Sequence, residues 1–455
     1  MRLTRLLVLT ALTLALTAFG DRLLRADNWP QWRGPAGIGV SSETDLPLTW
    51  SENDNIAWRA PIGGVGVSTP IVWDDRVFVT SQRGSGVRRE GRHPTLVQGG
   101  SAAEAGERAL AAGEDRASDR LMFLVESFQR DDGRRLWSFE LPAEGDLPAV
   151  HEKHNLASAS PVTDGERVYA VFGSGQVVAV EAASGARVWH RHLAAEHGPF
   201  QINWGHGSSP VIYRDLLILP CYHEPASYLI ALDVRTGKTR WRVDRGSNVL
   251  SYSTPVIVRT ASGADELVLN TSAALEAYDP ATGEALWRLD EPHRFAIPAP
   301  VFHDGVIYAS RGYRSGPYMA IRAGGRGDIA STHVAWTVPT GAPYISSMVY
   351  TGGLLFMAGD VGVVTCVDPR TGERVWQERT GGIFSASPVA AAGRIYLVSE
   401  TGETIVMRVA RTPDVLARNR IDGRLLASLA VSNGMLFLRT DDWLVAVSGD
   451  ERDTN

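Results

Sequence analysis

Several side chains in this sequence have the chemistry to bind a metal ion or an anion. They occur in the segments "HEKHN", "QINWGHG", "YHEPAS" and "SRGYRSGPY", and they are His151, His154, His206, His223, Glu224, Arg311 and Arg314. Imidazole and carboxylate groups are metal donors, and guanidinium groups hold anions. For any single histidine, a bond to loop backbone is the favoured explanation, and a His-x-x-His pair on a loop is a weak metal signal. The chemistry therefore depends on whether the fold brings these segments together.

A repeated turn identifies the elements that must position them. "LDVRTGKTRW" places Trp241 four residues after Gly237, and the same interval recurs in four other segments: "DDGRRLW", "EAASGARVW", "YDPATGEALW" and "VDPRTGERVW". Recurrence at a regular spacing indicates a repeat protein, whose units cannot bury their apolar faces alone. We expect the glycine to form the turn and the tryptophan to pack against the neighbouring unit.

A second landmark precedes each turn, as in "STPIV", "ASPV", "SSPV", "STPV" and "PAPV". Each copy is followed by two runs of β-branched and aromatic residues and then by the glycine turn, which gives four short antiparallel strands per unit. Such a unit is typical of a β-propeller blade. We place the proline in the innermost strand, which is an edge that tolerates a missing N–H.

Eight such units can be counted, but the last has only three strands of its own. The segment "NIAWRA" at 55–60 has no unit and carries a spare tryptophan, Trp58. The sequence therefore predicts an all-β, eight-bladed propeller of four-stranded antiparallel blades, with an N-terminal strand that closes the ring in the last blade.

The up-and-down order of the strands gathers the unusual loops on one face of the propeller. The links between blades and the loops between second and third strands share this face. The candidate ligand-binding residues there are His151, His154, Asn155, Asn203, His206, His223, Glu224, Tyr252, Arg311, Tyr313 and Arg314, with Trp204, Arg294, Phe295, Tyr318, Tyr344, Phe384, Glu400 and Glu403 beside them. This collection favours a binding role for the face as a whole.

The turns, their tryptophans and the "SPV" landmark resemble the pyrroloquinoline-quinone-like (PQQ-like) repeat of BamB-like exported propellers and quinoprotein dehydrogenases. The resemblance covers nearly the whole chain after its first residues, and it implies a fold more strongly than an activity. It would allow PQQ with a divalent metal as cofactor. The quinoprotein pattern of two adjacent cysteines is missing, because Cys221 and Cys366 lie far apart, and the lipidated cysteine of BamB-like proteins is missing too.

Composition and the first residues set the expected location. Arg2 and Arg5 precede an apolar run that ends near Gly20, which is typical of a signal peptide and is too short to span a membrane. We expect a signal peptide at 1–20, an N-terminal segment packed on the ring at 21–54, the propeller at 55–449 with a loop insertion at 82–120 that could form a lid, and a tail at 450–455. The mature chain would be periplasmic or secreted, without a transmembrane span. Without Arg2 and Arg5 it would carry 51 acidic and 43 basic residues, and it is not expected to bind nucleic acid.

Three classes of function remain open on this sequence, and one of them, a purely structural module of a larger assembly, cannot be separated by sequence from the first. The first is an exported binding scaffold that presents a face rich in His, Arg and Tyr to a protein partner or a small anionic ligand. The alternative is a PQQ- or metal-dependent oxidoreductase with its cofactor at the channel mouth. In that alternative, His151, His154, His206 and His223 would act as ligands or bases, and Arg311 and Arg314 would bind the carboxylates of the cofactor.

Overall fold

The computed structural model describes residues 28–84, 121–151, 153–313 and 315–449. The expected signal peptide at 1–20, most of the expected insertion at 82–120, the tail at 450–455 and Arg314 lie outside the described residues.

Eight sheets follow one another along the described chain, and each is one blade. Blades one and two contain Ile71–Trp73, Arg76–Arg83, Met122–Gln129 and Arg135–Pro142, then Val162–Thr163, Arg167–Val171, Gln176–Glu181 and Arg187–His192. Blades three and four contain Val211–Tyr213, Leu216–Cys221, Ser227–Asp233 and Thr239–Gly246, then Val256–Arg259, Asp265–Asn270, Ala274–Tyr278 and Ala285–Asp290. One short helix in the described chain, α1 (Leu193–His197), follows blade two.

Blades five and six contain Val301–His303, Val306–Ser310, Tyr318–Arg322 and Val334–Val338, then Val349–Thr351, Leu354–Gly359, Val363–Val367 and Arg374–Arg379. Blade seven contains Val389–Ala391, Arg394–Val398, Glu403–Arg408 and Val415–Arg420. Blade eight contains Ala430–Ser432, Met435–Arg439 and Trp443–Ser448, with Ile56–Pro61 as its outer strand.

The N-terminal strand closes the ring, as the sequence predicts. Ile56–Pro61 pairs antiparallel with Trp443–Ser448, so that the two ends of the propeller are joined by backbone hydrogen bonds. The predicted fold of eight antiparallel blades is therefore confirmed.

Two details differ from the prediction. The innermost strands begin at the residue after the proline, as at Val162 and Val211, so the proline precedes the strand and does not lie in it. Blade four has a fifth strand, Gly327–Asp328, which leaves blade five and pairs in parallel with Ala285–Asp290. It covers part of an outer edge that would otherwise be open.

Tryptophans on the outer strands join neighbouring blades. The indole N–H of Trp58 donates to the Arg130 carbonyl at 2.7 Å, and that of Trp189 donates to the Val234 carbonyl at 2.9 Å. The Trp189 indole also lies against Gly237, where a Cβ atom would come within 2.8 Å of the ring. Each of these two junctions thus combines a large apolar contact with a satisfied donor.

The N-terminal segment crosses one end of the ring. Trp29 exchanges backbone bonds with Val72 of blade one, and the Arg33 guanidinium donates to the Met348 carbonyl at the start of blade six at 2.6 Å. The segment then pairs through Val40 with Ala390 of blade seven. Because it contacts blades on opposite sides of the ring, it lies across the central channel at the end formed by the first-to-second-strand turns.

Candidate functional site

Serine and threonine hydroxyls join the blades around the central channel. The backbone N–H at the start of one blade donates to the hydroxyl oxygen at the same position of the next, with distances of 2.9 to 3.0 Å. The accepting residues are Ser160, Ser209, Thr254, Ser347, Ser387 and Ser428, here called the hydroxyl ring. These are the residues of the "SPV" landmark and its variants, so the landmark marks the channel lining.

Two connected cavities occupy the channel. The shaft cavity, of about 140 Å³, is lined by the hydroxyl ring and by Trp32 of the N-terminal segment. The mouth cavity, of about 260 Å³, opens on the face that the sequence predicts to be functional. Its lining includes Val67, His151, Lys153, His154, Trp204, Tyr252, Ile297, Tyr344 and Leu426. Since the N-terminal segment crosses the far end, the channel forms a pocket with its opening at the mouth.

Aromatic rings form an arc beside the mouth. His151 and Trp204 meet edge to face with ring centroids 5.3 Å apart, and Trp204 lies 6.4 Å from Phe295. Phe295 contacts Tyr313 at 4.9 Å, and Tyr313 contacts Tyr344 at 5.4 Å. The loops of blades two, three, five and six therefore supply a continuous surface on which a flat apolar group can pack.

Lys153 lines the same mouth cavity, and sequence reasoning did not single it out. Its Nζ atom lies 2.6 Å from Oε2 of Glu400, and Oε1 of the same carboxylate accepts a hydrogen bond from the Ser385 hydroxyl. Lys153 is one of two lysines in a chain with 45 basic residues, and this rarity was the available signal.

Asp360 lies close to this pair and was missed for a different reason. It accepts backbone hydrogen bonds from Tyr344 and Ile345 at 3.2 and 3.0 Å. Burial raises the pKa of its carboxyl group to about 6, and the charge of Glu400 adds to the rise against the opposing effect of these bonds. Asp-Val-Gly after a strand is an ordinary turn sequence, so no pattern distinguished this carboxylate.

The histidines of blades two and three lie in an apolar setting. The His206 and His223 rings pack on Phe200 with centroids 5.3 and 4.0 Å away. Burial lowers the pKa of His223 to about 3, and His206 lowers it further. Burial also lowers the pKa of His154 to about 3, with His206 and His151 adding to the effect. His154 lines the mouth cavity, whereas His206 and His223 lie within the blade, and their rings are neutral above pH 6.5.

Arg311 lies beneath the face, and its donors are used inside the protein. The guanidinium donates to the carbonyls of Thr271 at 2.7 Å and Glu291 and to the Asn270 side chain. Burial lowers the pKa of this guanidinium to about 10. These bonds join blade four to blade five. At this junction the hydroxyl ring is interrupted, because blade five has Ala299 at the position where other blades have a serine or threonine. These internal bonds explain why an arginine occurs at position 311, and no ligand is needed to explain it.

The other predicted residues are divided between structural and exposed positions. Tyr252 lines both cavities, and Tyr313 belongs to the aromatic arc. Asn155 is buried and accepts the N–H of Ala157 at 2.9 Å. Asn203 is exposed, and Glu224 is half-buried, with its backbone paired to Gln201.

A quinone cofactor with a calcium ion would need several oxygen donors that converge on the ion. In the described part of the chain, no three His, Cys, Asp or Glu side chains converge to hold a metal ion. Cys221 and Cys366 are buried separately, in blades three and six. The described residues therefore do not fit that cofactor arrangement.

One known protein family matches this chain. The pattern of the family described as outer membrane protein assembly factor BamB matches residues 121–378, 325–416 and 360–454. These matches extend over more than half of the chain. The chain belongs to this family of PQQ-like repeat propellers. As expected from the sequence, the repeat identifies the fold of the chain and does not by itself identify an activity.

Individual relatives of this BamB-family chain carry different names. Tetrathionate hydrolase of Acidithiobacillus ferrooxidans is 23% identical over 386 residues, which are 80% of this chain and 70% of that protein. BamB of Moraxella catarrhalis has a similar fold with a TM-score of 0.53 and 15% identity, over 73% of this chain and 90% of that one. Quinohemoprotein alcohol dehydrogenase of Comamonas testosteroni has a TM-score of 0.63 and 12% identity, over 94% and 82%. At these identities the structural likeness concerns the fold alone.

None of the helices in the described ranges has the length and apolar character needed to cross a membrane.

Proposed function

We propose that this protein is an exported binding propeller that holds a small organic anion in its mouth cavity. The observation that carries the proposal is the composition of this cavity of about 260 Å³, which is lined both by Trp204 and Tyr344 of the aromatic arc and by Lys153. Pockets for small molecules combine apolar walls with a few placed polar groups in this way.

Lys153 would bind the anionic group of the ligand. An ammonium group has three N–H donors, and Glu400 engages Lys153 on one side. The remaining donors can reach a carboxylate or sulfonate, while Trp204 and Tyr344 pack on the body of the ligand. His154 would not add charge, since burial lowers its pKa to about 3.

The relatives are consistent with a bound anion without naming one for this chain. One relative is named a tetrathionate hydrolase, and tetrathionate is an anion. The apolar run ahead of Gly20, interpreted as an export signal, supports a periplasmic or secreted location. A protein partner on the same face is the other form of the scaffold hypothesis.

The test uses anilinonaphthalene sulfonate, which joins an aromatic body to one sulfonate and fluoresces when bound in an apolar site. We expect saturable fluorescence with one site per chain and an affinity about tenfold lower in Lys153→Met, because one charge-assisted bond is lost. Lys238→Met is the matched control, since Lys238 lies on the exposed turn of blade three.

Equal binding by the two lysine variants, or no saturable binding, would overturn the proposal. Competition by tetrathionate and by PQQ, with and without calcium, then ranks natural ligands. Displacement by PQQ only in the presence of calcium would favour the oxidoreductase alternative instead.

A further inference from the structure

We infer that the shaft cavity is a second binding site, specific for a small oxyanion of the sulfate type. The site is the hydroxyl ring, and it lies between the mouth cavity and Trp32. The inference does not depend on what binds at the mouth.

Each ring hydroxyl is fixed as an acceptor on one side. The Oγ atom of Ser347 accepts the N–H of Ala299 at 2.9 Å, and that of Ser387 accepts the N–H of Ser347 at 2.9 Å. A serine or threonine hydroxyl has one proton to donate as well as lone pairs to accept. Accepting a bond from a backbone N–H polarises the hydroxyl and strengthens it as a donor.

The protons of these hydroxyls have no protein acceptor. Within the described residues, none of the six ring hydroxyls donates a hydrogen bond to another side chain or carbonyl. All six residues are buried, with exposed fractions between 1% for Ser347 and 7% for Thr254. Because they line one cavity, their free donors point to an acceptor held inside it.

The charge of the lining selects an anion over a cation. The shaft cavity is lined by hydroxyl, aromatic and aliphatic residues, with no carboxylate among them. Several neutral donors around one cavity can stabilise a negative charge, as preorganised donors do elsewhere. The volume of about 140 Å³ exceeds the roughly 10 to 15 Å³ that one water requires, so a polyatomic anion fits.

Blade five provides a way to strengthen the site. Its ring position is Ala299, which donates to Ser347 but has no hydroxyl to accept from Thr254. Ala299→Ser would add a donor to the cavity and a junction bond between blades four and five. This variant adds bonds, so its result does not depend on whether a weakened ring still folds.

The experiment has a crystallographic arm and a solution arm. Crystals soaked in selenate, an analogue of sulfate, should give an anomalous selenium peak within about 3 Å of the ring hydroxyls. Calorimetric titration with sulfate should show binding about tenfold weaker in Ser387→Ala and several-fold tighter in Ala299→Ser, because a hydrogen bond to a charged group is lost or gained. Ser432→Ala, at a buried serine that does not line the shaft, is the control and should match the unmodified protein.

A shaft that contains only ordered water in the selenate crystals would overturn the inference. Sulfate binding that Ser387→Ala and Ala299→Ser leave unchanged would overturn it too. Loss of anilinonaphthalene sulfonate binding in Lys153→Met with retained selenate in the shaft would separate the two sites.

Discussion

The Nζ atom of Lys153 lies 2.6 Å from Oε2 of Glu400, and this ion pair connects the link between blades one and two with blade seven across the channel mouth. Glu400 is 9% exposed, so its charge is compensated mainly by this contact and by the Ser385 hydroxyl. The pair thus holds Lys153 in place at the mouth.

Removing the lysine should destabilise the protein as well as weaken anion binding. We expect Lys153→Met to lower the free energy of unfolding by about 1 to 3 kcal/mol, because the buried carboxylate of Glu400 loses its counter-charge. Urea denaturation measures this change. Combining Lys153→Met with Glu400→Gln should cost less than the sum of the single changes. A loss no larger than that of Lys238→Met would show that the ion pair contributes nothing.

Glycines with positive φ should tolerate substitution according to whether a tryptophan packs on them. Gly185 has φ +72°, and a Cβ atom there would lie 2.6 Å from the Trp137 ring. Gly246 has φ +73° with nothing within 4 Å. We expect Gly246→Ala to cost about 1 kcal/mol for backbone strain and Gly185→Ala about 2 to 4 kcal/mol, because overpacking is added. Thermal and urea unfolding of the two variants compare these costs, and equal losses would contradict a packing role for the turn.

Acid should destabilise the blade containing His223. The folded pKa of His223 is about 3, below its ordinary value of 6.5, so the unfolded chain binds a proton that the folded chain does not. The stabilising contribution is complete above pH 6.5 and is lost as the pH falls towards 3, by about 1.4 kcal/mol per unit. His223→Leu should make the free energy of unfolding less steep in pH between 4 and 6. His303→Leu is the control, since the His303 side chain is exposed, and identical slopes for the two variants would refute the assignment.

Arg311 should matter for folding and not for ligand binding. Its donors bond Asn270, Thr271 and Glu291 at the junction of blades four and five. We expect Arg311→Met to lower the free energy of unfolding by about 3 to 5 kcal/mol, since it leaves buried acceptors without a partner. Arg322→Met, at an exposed strand end, should change it by no more than about 0.5 kcal/mol. If the Arg311→Met protein were as stable as Arg322→Met and yet bound anilinonaphthalene sulfonate more weakly, Arg311 would have a role in ligand binding.

The sequence determined the architecture of this protein. Gly185 with Trp189 and Gly237 with Trp241 mark repeating turns, and the landmark before each blade marks the channel strand. Such signals are local, because turn conformation and strand alternation depend on neighbouring residues. The spare Trp58 sufficed to predict how the ring closes, since a blade with three strands needs a fourth.

Only the tertiary structure decided which polar residues face a cavity. Arg311 and His223 lie on the loops that the sequence assigned to the binding face, yet their side chains are buried and bonded within the blades. Lys153 meets Glu400 at the mouth, and Ser347 meets Ser387 in the shaft, although each pair is separated along the chain by a distance that no local pattern encodes. The direction of a side chain from a long loop depends on contacts with other blades, and those contacts exist only when the ring has closed.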